Sequence, residues 1–295
     1  MDQATGVQHD LPPDRHPAAI LAGFNRQITS ARGRTLTSAD PEGPHQLRVG
    51  LRRLRSGLGL FRPLLPKGYA KPLGMQARWL GQETGRLRDL EVLLYETVTP
   101  YLRATGGDKT LAALERLLHG AVKQQKEQLV KTLHSKRVSR FLEEAEPLNR
   151  TGFWRPSAGD AAALRALCRA ALDRRRQCAH DLGRHFKDLN EPDRHAFRKI
   201  LKKLRYTAEC THAVFAAKRT KAYIKQLKTL QNGLGAMNDA VVARRMLTSL
   251  TAGLAPDAPA RIAAIALADV RDSHVDLDKK RIQKRWKALA REEPL

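Results

Sequence analysis

Between its prolines the chain places apolar residues every three or four positions and almost nowhere every second one. That is the period of an α-helix with one buried face. Leu47, Leu51, Leu54 and Leu58 form one such stripe, and Phe197, Leu201, Leu204 and Ala208 form another. The pattern predicts helices over about 17–37, 44–62, 70–99, 108–145, 159–187, 192–216, 219–253 and 258–291. Pro44 and Pro192 fall in first turns, where a missing N–H costs little. Asp160 and Asn190 stand where side-chain caps belong. No stretch alternates β-branched and aromatic residues with polar ones, so no strands are expected.

The helical pattern breaks once near the middle, at Pro147-Leu-Asn-Arg-Thr-Gly-Phe-Trp-Arg-Pro156-Ser-Ala-Gly. Long helices joined by short turns favour antiparallel bundles. The expected class is therefore all-α: two tandem four-helix bundles related by a pseudo-twofold. Residues 15–146 form the first repeat, 147–158 a linker and 159–292 the second, after a disordered N-terminus over 1–14.

A duplication supports the two-repeat reading. His45-Gln-Leu-Arg48-Val-Gly-Leu51-Arg52-Arg53-Leu54-Arg55 matches His195-Ala-Phe-Arg198-Lys-Ile-Leu201-Lys202-Lys203-Leu204-Arg205. Downstream, Leu80–Asp89 matches Leu230–Asp239, with Gly85 over Gly235 and Asp89 over Asp239. The His-to-Asp separation is 44 in both copies, and the offset between copies is 150 throughout. Self-similarity at one long offset marks a duplicated structural unit.

Charge says what was duplicated. Lys and Arg number 54 against 30 Asp and Glu, a net charge of +24 in 295 residues. Both halves share the excess, so the charge is no basic tail on a neutral body. Such a field attracts polyanions. Only 5% of residues are aromatic, whereas single-stranded nucleic acid is usually held by stacking on aromatic rings. The composition leans toward a polyanion without bases. Three cysteines without paired spacing (Cys168, Cys178, Cys210) indicate buried thiols in a reducing compartment. Neither a signal peptide nor a membrane-length apolar run is present, so a cytoplasmic location is expected.

On a helical wheel with His45 at zero, Arg48, Arg52 and Arg55 fall at roughly 300°, 340° and 280°, beside the leucine stripe at roughly 180–240°. A purely solubilising face would lie opposite the core. His195, Arg198, Lys202 and Arg205 repeat the arrangement, with Tyr206 at the edge of the cationic face. On the partner helices Lys71, Arg78, Gln82, Gly85 and Asp89 align, as do Lys221, Lys228, Asn232, Gly235 and Asp239. Two repeats face to face would pool these stripes into one cationic cavity.

The histidines read either as phosphate donors or as helix-start residues with structural hydrogen bonds. Asp89 and Asp239 are expected to hold neighbouring cations in place, and Gly85 and Gly235 to let helices approach closely. Arg53 and Lys203 point off the stripe, toward solvent or the other repeat. Cys178-x-His180 with His185 lacks a fourth ligand and reads as chance. Arg174-Arg175-Arg176 reads as a solvated face.

These motifs in combination resemble the CHAD family, the conserved histidine α-helical domain. HQLRVGLRRLR with GRLRDLEVL and HAFRKILKKLRYTAE with LGAMND carry the resemblance, which spans about residues 15–291. It implies two four-helix bundles around a basic central cavity, binding of inorganic polyphosphate, and association with polyphosphate granules. Carried over residue by residue, it implicates His45, Arg48, Arg52, Arg55, His195, Arg198, Lys202 and Arg205. Many members are fused to a triphosphate-tunnel hydrolase marked by Glu-x-Glu-x-Lys; the nearest fragment here, Glu144-Ala-Glu146-Pro-Leu148, lacks the lysine.

The expected function is non-catalytic binding of polyphosphate by the implicated residues together with Lys71, Arg78, Tyr206, Lys221 and Lys228, supported by Asp89 and Asp239. No catalytic residue, metal or cofactor is assigned, and no membrane partner. A metal-dependent phosphohydrolase is the first alternative, but each copy offers a single aspartate and GxxxxGK[ST] is absent. A nucleic-acid binder is the second, disfavoured by the low aromatic content.

Overall fold

The computed structural model describes residues 16–38, 40–273 and 275–292, apart from the side chains of 236–240, 270–273 and 275–279. The expected N-terminal disorder over 1–14 thus lies outside the described residues, which are all-helical and contain no strand. The α-helices are α1 (Pro17–Thr37), α2 (Glu42–Leu60), α3 (Ala70–Leu93), α4 (Thr99–Ala104), α5 (Lys109–His134), α6 (Lys136–Ala145), α7 (Ala161–Gly183), α8 (Glu191–Thr211), α9 (Ala217–Thr251), α10 (Pro259–Ser273) and α11 (Val275–Ala290).

Local chemistry sets several boundaries. Asp160 caps α7 by accepting from the N–H groups of Ala162 and Ala163, and Asn190 caps α8 by accepting from Asp193 N–H. One expected helix is broken. The 108–145 helix is cut at Ser135, whose extended backbone ends α5 while its hydroxyl caps α6 by accepting from Val138 N–H. The 258–291 helix is seen as α10 and α11 on either side of residue 274, which lies outside the described residues. Another, expected over 70–99, runs past its proline. Pro100 has no N–H to donate back up the helix, and the chain absorbs this as a π-helical turn over Leu94–Val98 before continuing as α4.

α2 lies between α1 and α3, and α8 lies between α7 and α9, so the two copies of the signature hold corresponding places. α2 and α8 also pack on each other, as do α5 and α10. The larger apolar core crosses the sequence midpoint: Ala263, Ala264, Leu267 and Ala268 of α10 join the same cluster as Leu114 and Leu118 of α5. A second core collects Phe197, Leu201 and Leu204 of α8, Leu227 and Leu230 of α9, and Ile282 and Trp286 of α11. The segment over 147–158 is packed into the body of the protein. Leu148, Trp154 and Ala158 are buried there, and Trp154 Nε1 donates to Leu148 O at 3.1 Å.

Candidate functional site

Leu47, Leu51 and Leu54 of α2 are fully buried, and this fixes the rotation of the helix. Arg48 and Arg52 are left half-buried at the rim of the core, and Arg55 stands beyond them, exposed. Arg48 Nη1 donates to Gly85 O at 2.9 Å and to Asp89 Oδ1 at 3.1 Å. The ion pair expected of Asp89 is therefore present in the first copy. The space at Gly85 serves a different purpose from the one expected. A Cβ there would lie 2.7 Å from Arg48 Nη1, so the glycine makes room for a guanidinium to reach the α3 backbone rather than for a neighbouring helix.

Electrostatic neighbours extend this pair into a row. Burial lowers the Arg48 pKa most, Arg52 lowers it further, and Asp89 and then Tyr206 oppose the shift. Burial also lowers His45, followed by Arg88, with Glu42 opposing and Arg48 and Arg52 adding to the fall. His45 is thereby held neutral at neutral pH. Arg55 is lowered by burial, then by Arg78 and Arg52. Arg88, His45, Arg48, Arg52, Arg55 and Arg78 thus form a continuous series of mutually sensed groups over α2 and α3. Like charges held this close to a core favour an anion that neutralises them.

The second copy meets this row through the α2–α8 packing. Tyr206, placed by the sequence at the edge of the cationic face, is in fact buried, with the Arg205 guanidinium 4.7 Å from its ring centre and Arg48 within electrostatic reach. Glu209 lies 3.6 Å from Arg205 Nε and accepts from Arg53 Nε at 3.0 Å, while Arg53 Nη1 donates to Gln27 Oε1 at 3.1 Å. Arg53 is therefore the contact between copies, and Lys203 is exposed. Arg198 and Lys202 are half-buried, whereas His195, Lys71, Lys221 and Lys228 are exposed. The Asp239 side chain lies outside the described residues.

Two residues of this region were not placed in the site from sequence. Arg88, opposite Asn238 in the aligned copies, flanks His45 and donates to Glu96 Oε1 at 2.6 Å. Glu91, one helical turn from Arg88, is only 4% exposed, and its Oε2 has no hydrogen-bond partner. Burial pushes its pKa up to about 7, against the pull of Arg88 and Lys126 and with a small push from Asp40. A carboxyl group whose folded pKa is raised stabilises the fold below its unfolded pKa and loses that contribution as pH rises through the folded value. Melting should therefore show a stability loss between about pH 4.5 and 7 of up to about 3 kcal/mol at this group. Glu91→Gln should remove that step. Parallel pH profiles of melting temperature for the two proteins would contradict the assignment.

Other candidates take structural places. Arg174 is exposed, but Arg175 and Arg176 are half-buried, so the run is not the solvated face expected. Arg176 reaches the C-terminal end of α11 and donates to the carbonyls of Ala290 and Glu292. His180 Nε2 lies 3.1 Å from Ala290 O, and its ring meets Trp286 edge-on. Cys168 and Cys210 are buried, with burial pushing the Cys168 thiol up to about 12 and raising Cys210 as well. Among the described residues, no three His, Cys, Asp or Glu side chains gather as a metal-binding group. No helix among them is long and apolar enough to cross a membrane.

The sequence profile of the CHAD domain matches residues 19–248, most of the chain and both copies of the signature. The protein belongs to the CHAD domain family. A crystal structure of the CHAD domain from the plant Ricinus communis is similar over 99% of this chain and 97% of that one, with a TM-score of 0.81 and 28% identity. PptA from Streptomyces chartreusis shares the fold over 92% of this chain and 99% of its own, with a TM-score of 0.65 and 16% identity. Among curated proteins, nothing matches. The plant CHAD structure covers 99% of this chain, so the fold seen here is the CHAD fold over nearly its whole length.

Proposed function

We propose that this CHAD protein binds inorganic polyphosphate, without catalysis, along the row that runs from Arg88 through His45, Arg48, Arg52 and Arg55 to Arg78. The observation that carries the reading is the row itself. Its groups sense one another, they stand beside the core rather than opposite it, and Tyr206 of the second copy closes on them at Arg48. Guanidinium groups on α2 rise by roughly 6 and 4.5 Å from Arg48 to Arg52 to Arg55, a ladder that a flexible chain of phosphates can follow. Arginine adds paired, planar donors for phosphate oxygens. Arg198 and Lys202 supply the second copy's contribution, with exposed Lys71, Lys221 and Lys228 at the margins. Nucleic acid fits less well, because the row holds no aromatic face free for base stacking. The same ligand would recruit the protein to polyphosphate granules in the cytoplasm.

Arg52→Ala combined with Lys202→Ala should weaken polyphosphate binding at least tenfold, since each removal deletes a charge-assisted contact worth about 1.5–3 kcal/mol. Both side chains border the core without filling it, so the helical circular dichroism should be unchanged. Unaltered affinity would reject the row as the site. Wild-type protein, given Mg²⁺ or Mn²⁺ with polyphosphate, should release no orthophosphate above the buffer rate. Sustained release that disappears in His45→Ala would instead establish a phosphohydrolase.

A further inference from the structure

Glu91 and Arg88 form a device that the binding reading leaves unused. Arg88 leaves α3 at the His45 end of the row, and its guanidinium has two carboxylates within reach. Glu96 is ion-paired with it and exposed to solvent, so that pair is weak and can open. Glu91 is enclosed, with one carboxyl oxygen lacking any hydrogen-bond partner. The charged groups that sense Glu91 are Arg88 on its own helix, Lys126 on α5 and Asp40 in the α1–α2 turn; Lys126 itself donates to Ser38 O in that turn. A buried oxygen without a partner is costly when ionised, and Arg88, the cation of the anion-binding row that pulls hardest on Glu91, can compensate it. Arg88 therefore has two alternative uses, as counter-ion to Glu91 or as the terminal cation of the row.

We propose that Glu91 is a proton-linked positioning residue: protonated, it releases Arg88 to a phosphate bound beside His45, and ionised, it draws Arg88 inward. This rests on the row's being the polyanion site. Protonation of Glu91 frees the Arg88 charge for the row, so affinity rises as pH falls. By linkage, polyphosphate binding makes the protein take up protons near neutrality. The carboxyl group's raised pKa puts the transition inside the range where binding is easily measured. His45 also gains charge on acidification, but its own lowered pKa places that step further down.

The test is polyphosphate affinity of the intact protein from pH 5 to 8.5 at constant ionic strength, for wild type, Glu91→Gln, Arg88→Gln and the double variant. Wild type should lose roughly fivefold in affinity across pH 6–8, the size expected for one partly screened charge near the ligand. Glu91→Gln should remain at the tight level across that interval and keep only a lower step, which His45→Asn should abolish. Arg88→Gln should bind weakly with no pH 6–8 step, and adding Glu91→Gln to it should change nothing further. An unchanged pH profile in Glu91→Gln, with tight binding retained, would overturn the switch while leaving the binding site intact. No wild-type binding at any pH would overturn the site itself. Thermal melts of each variant at pH 6 separate misfolding from lost affinity, and Arg88→Lys should restore part of the step if charge, rather than packing, carries it.

Discussion

Raising the salt concentration from 50 to 200 mM should cost the polyphosphate complex roughly two to four decades of affinity. A flexible polyanion loses a slope of about 0.7 per neutralised phosphate on logarithmic axes, and six to ten contacts over a fourfold change in salt give that range. The count of contacts follows from the site. The first copy supplies Arg88, Arg48, Arg52, Arg55 and Arg78, and the second adds Arg198 and Lys202 at half-buried positions. Arg205 contributes less, because Glu209 already lies beside it. Burial and then Arg88 lower the His45 pKa, so His45 gains charge only on acidification and the slope should steepen toward acid pH. Titrations at four salt concentrations check this. A slope below about two would mean that the row holds one or two phosphates and that most of the net charge is unrelated to binding.

How much of this could be read in the chain differs from residue to residue. The leucine stripe of α2 and its counterpart in α8 were legible because a buried helix face imposes the period that the sequence shows. That Asp89 would hold a neighbouring cation was legible, because it recurs in register with the basic stripe in both copies. Which cation it holds was not, since Arg48 meets Asp89 only through the packing of α2 on α3. What lay outside sequence reach depends on packing between elements distant in the chain. Glu209 faces Arg53 only because α2 packs on α8, and no local period encodes that contact. Tyr206 went into the core for the same reason. Arg88 and Glu91 have no equivalents in the second copy, where Asn238 and Val241 stand, so a search for repeated chemistry passed over them. The break within the long 108–145 stretch was also hidden. The apolar period runs on through Ser135, and only the serine's backbone and hydroxyl show that one helix ends and another begins.

The fold around the second copy depends on one side chain, and Trp286→Ala should be among the most destabilising single substitutions in this protein. Trp286 is 4% exposed on α11, meets the Phe197 ring edge-on at 5.0 Å and the His180 ring at 5.5 Å, and covers Gly183 at the end of α7. At Gly183 a Cβ would run into the indole, so the glycine is the floor of the tryptophan's socket. Truncating an indole in such a place removes its transfer free energy and leaves a cavity that three helices cannot easily close, at a cost of about 3–5 kcal/mol. For a chain of this size the melting temperature should fall by on the order of 10 °C. Phe197 lies between His195 and Arg198, so loosening its packing also frees α8 where it presents the second copy's cations. Polyphosphate should therefore stabilise Trp286→Ala by less than it stabilises wild type at equal concentration, since ligand binding protects the fold in proportion to its affinity for the native state. A Trp286→Ala protein melting within about 2 °C of wild type would show that α7, α8 and α11 are held together elsewhere. Equal stabilisation of the two proteins by the ligand would show that the first copy's row binds polyphosphate by itself.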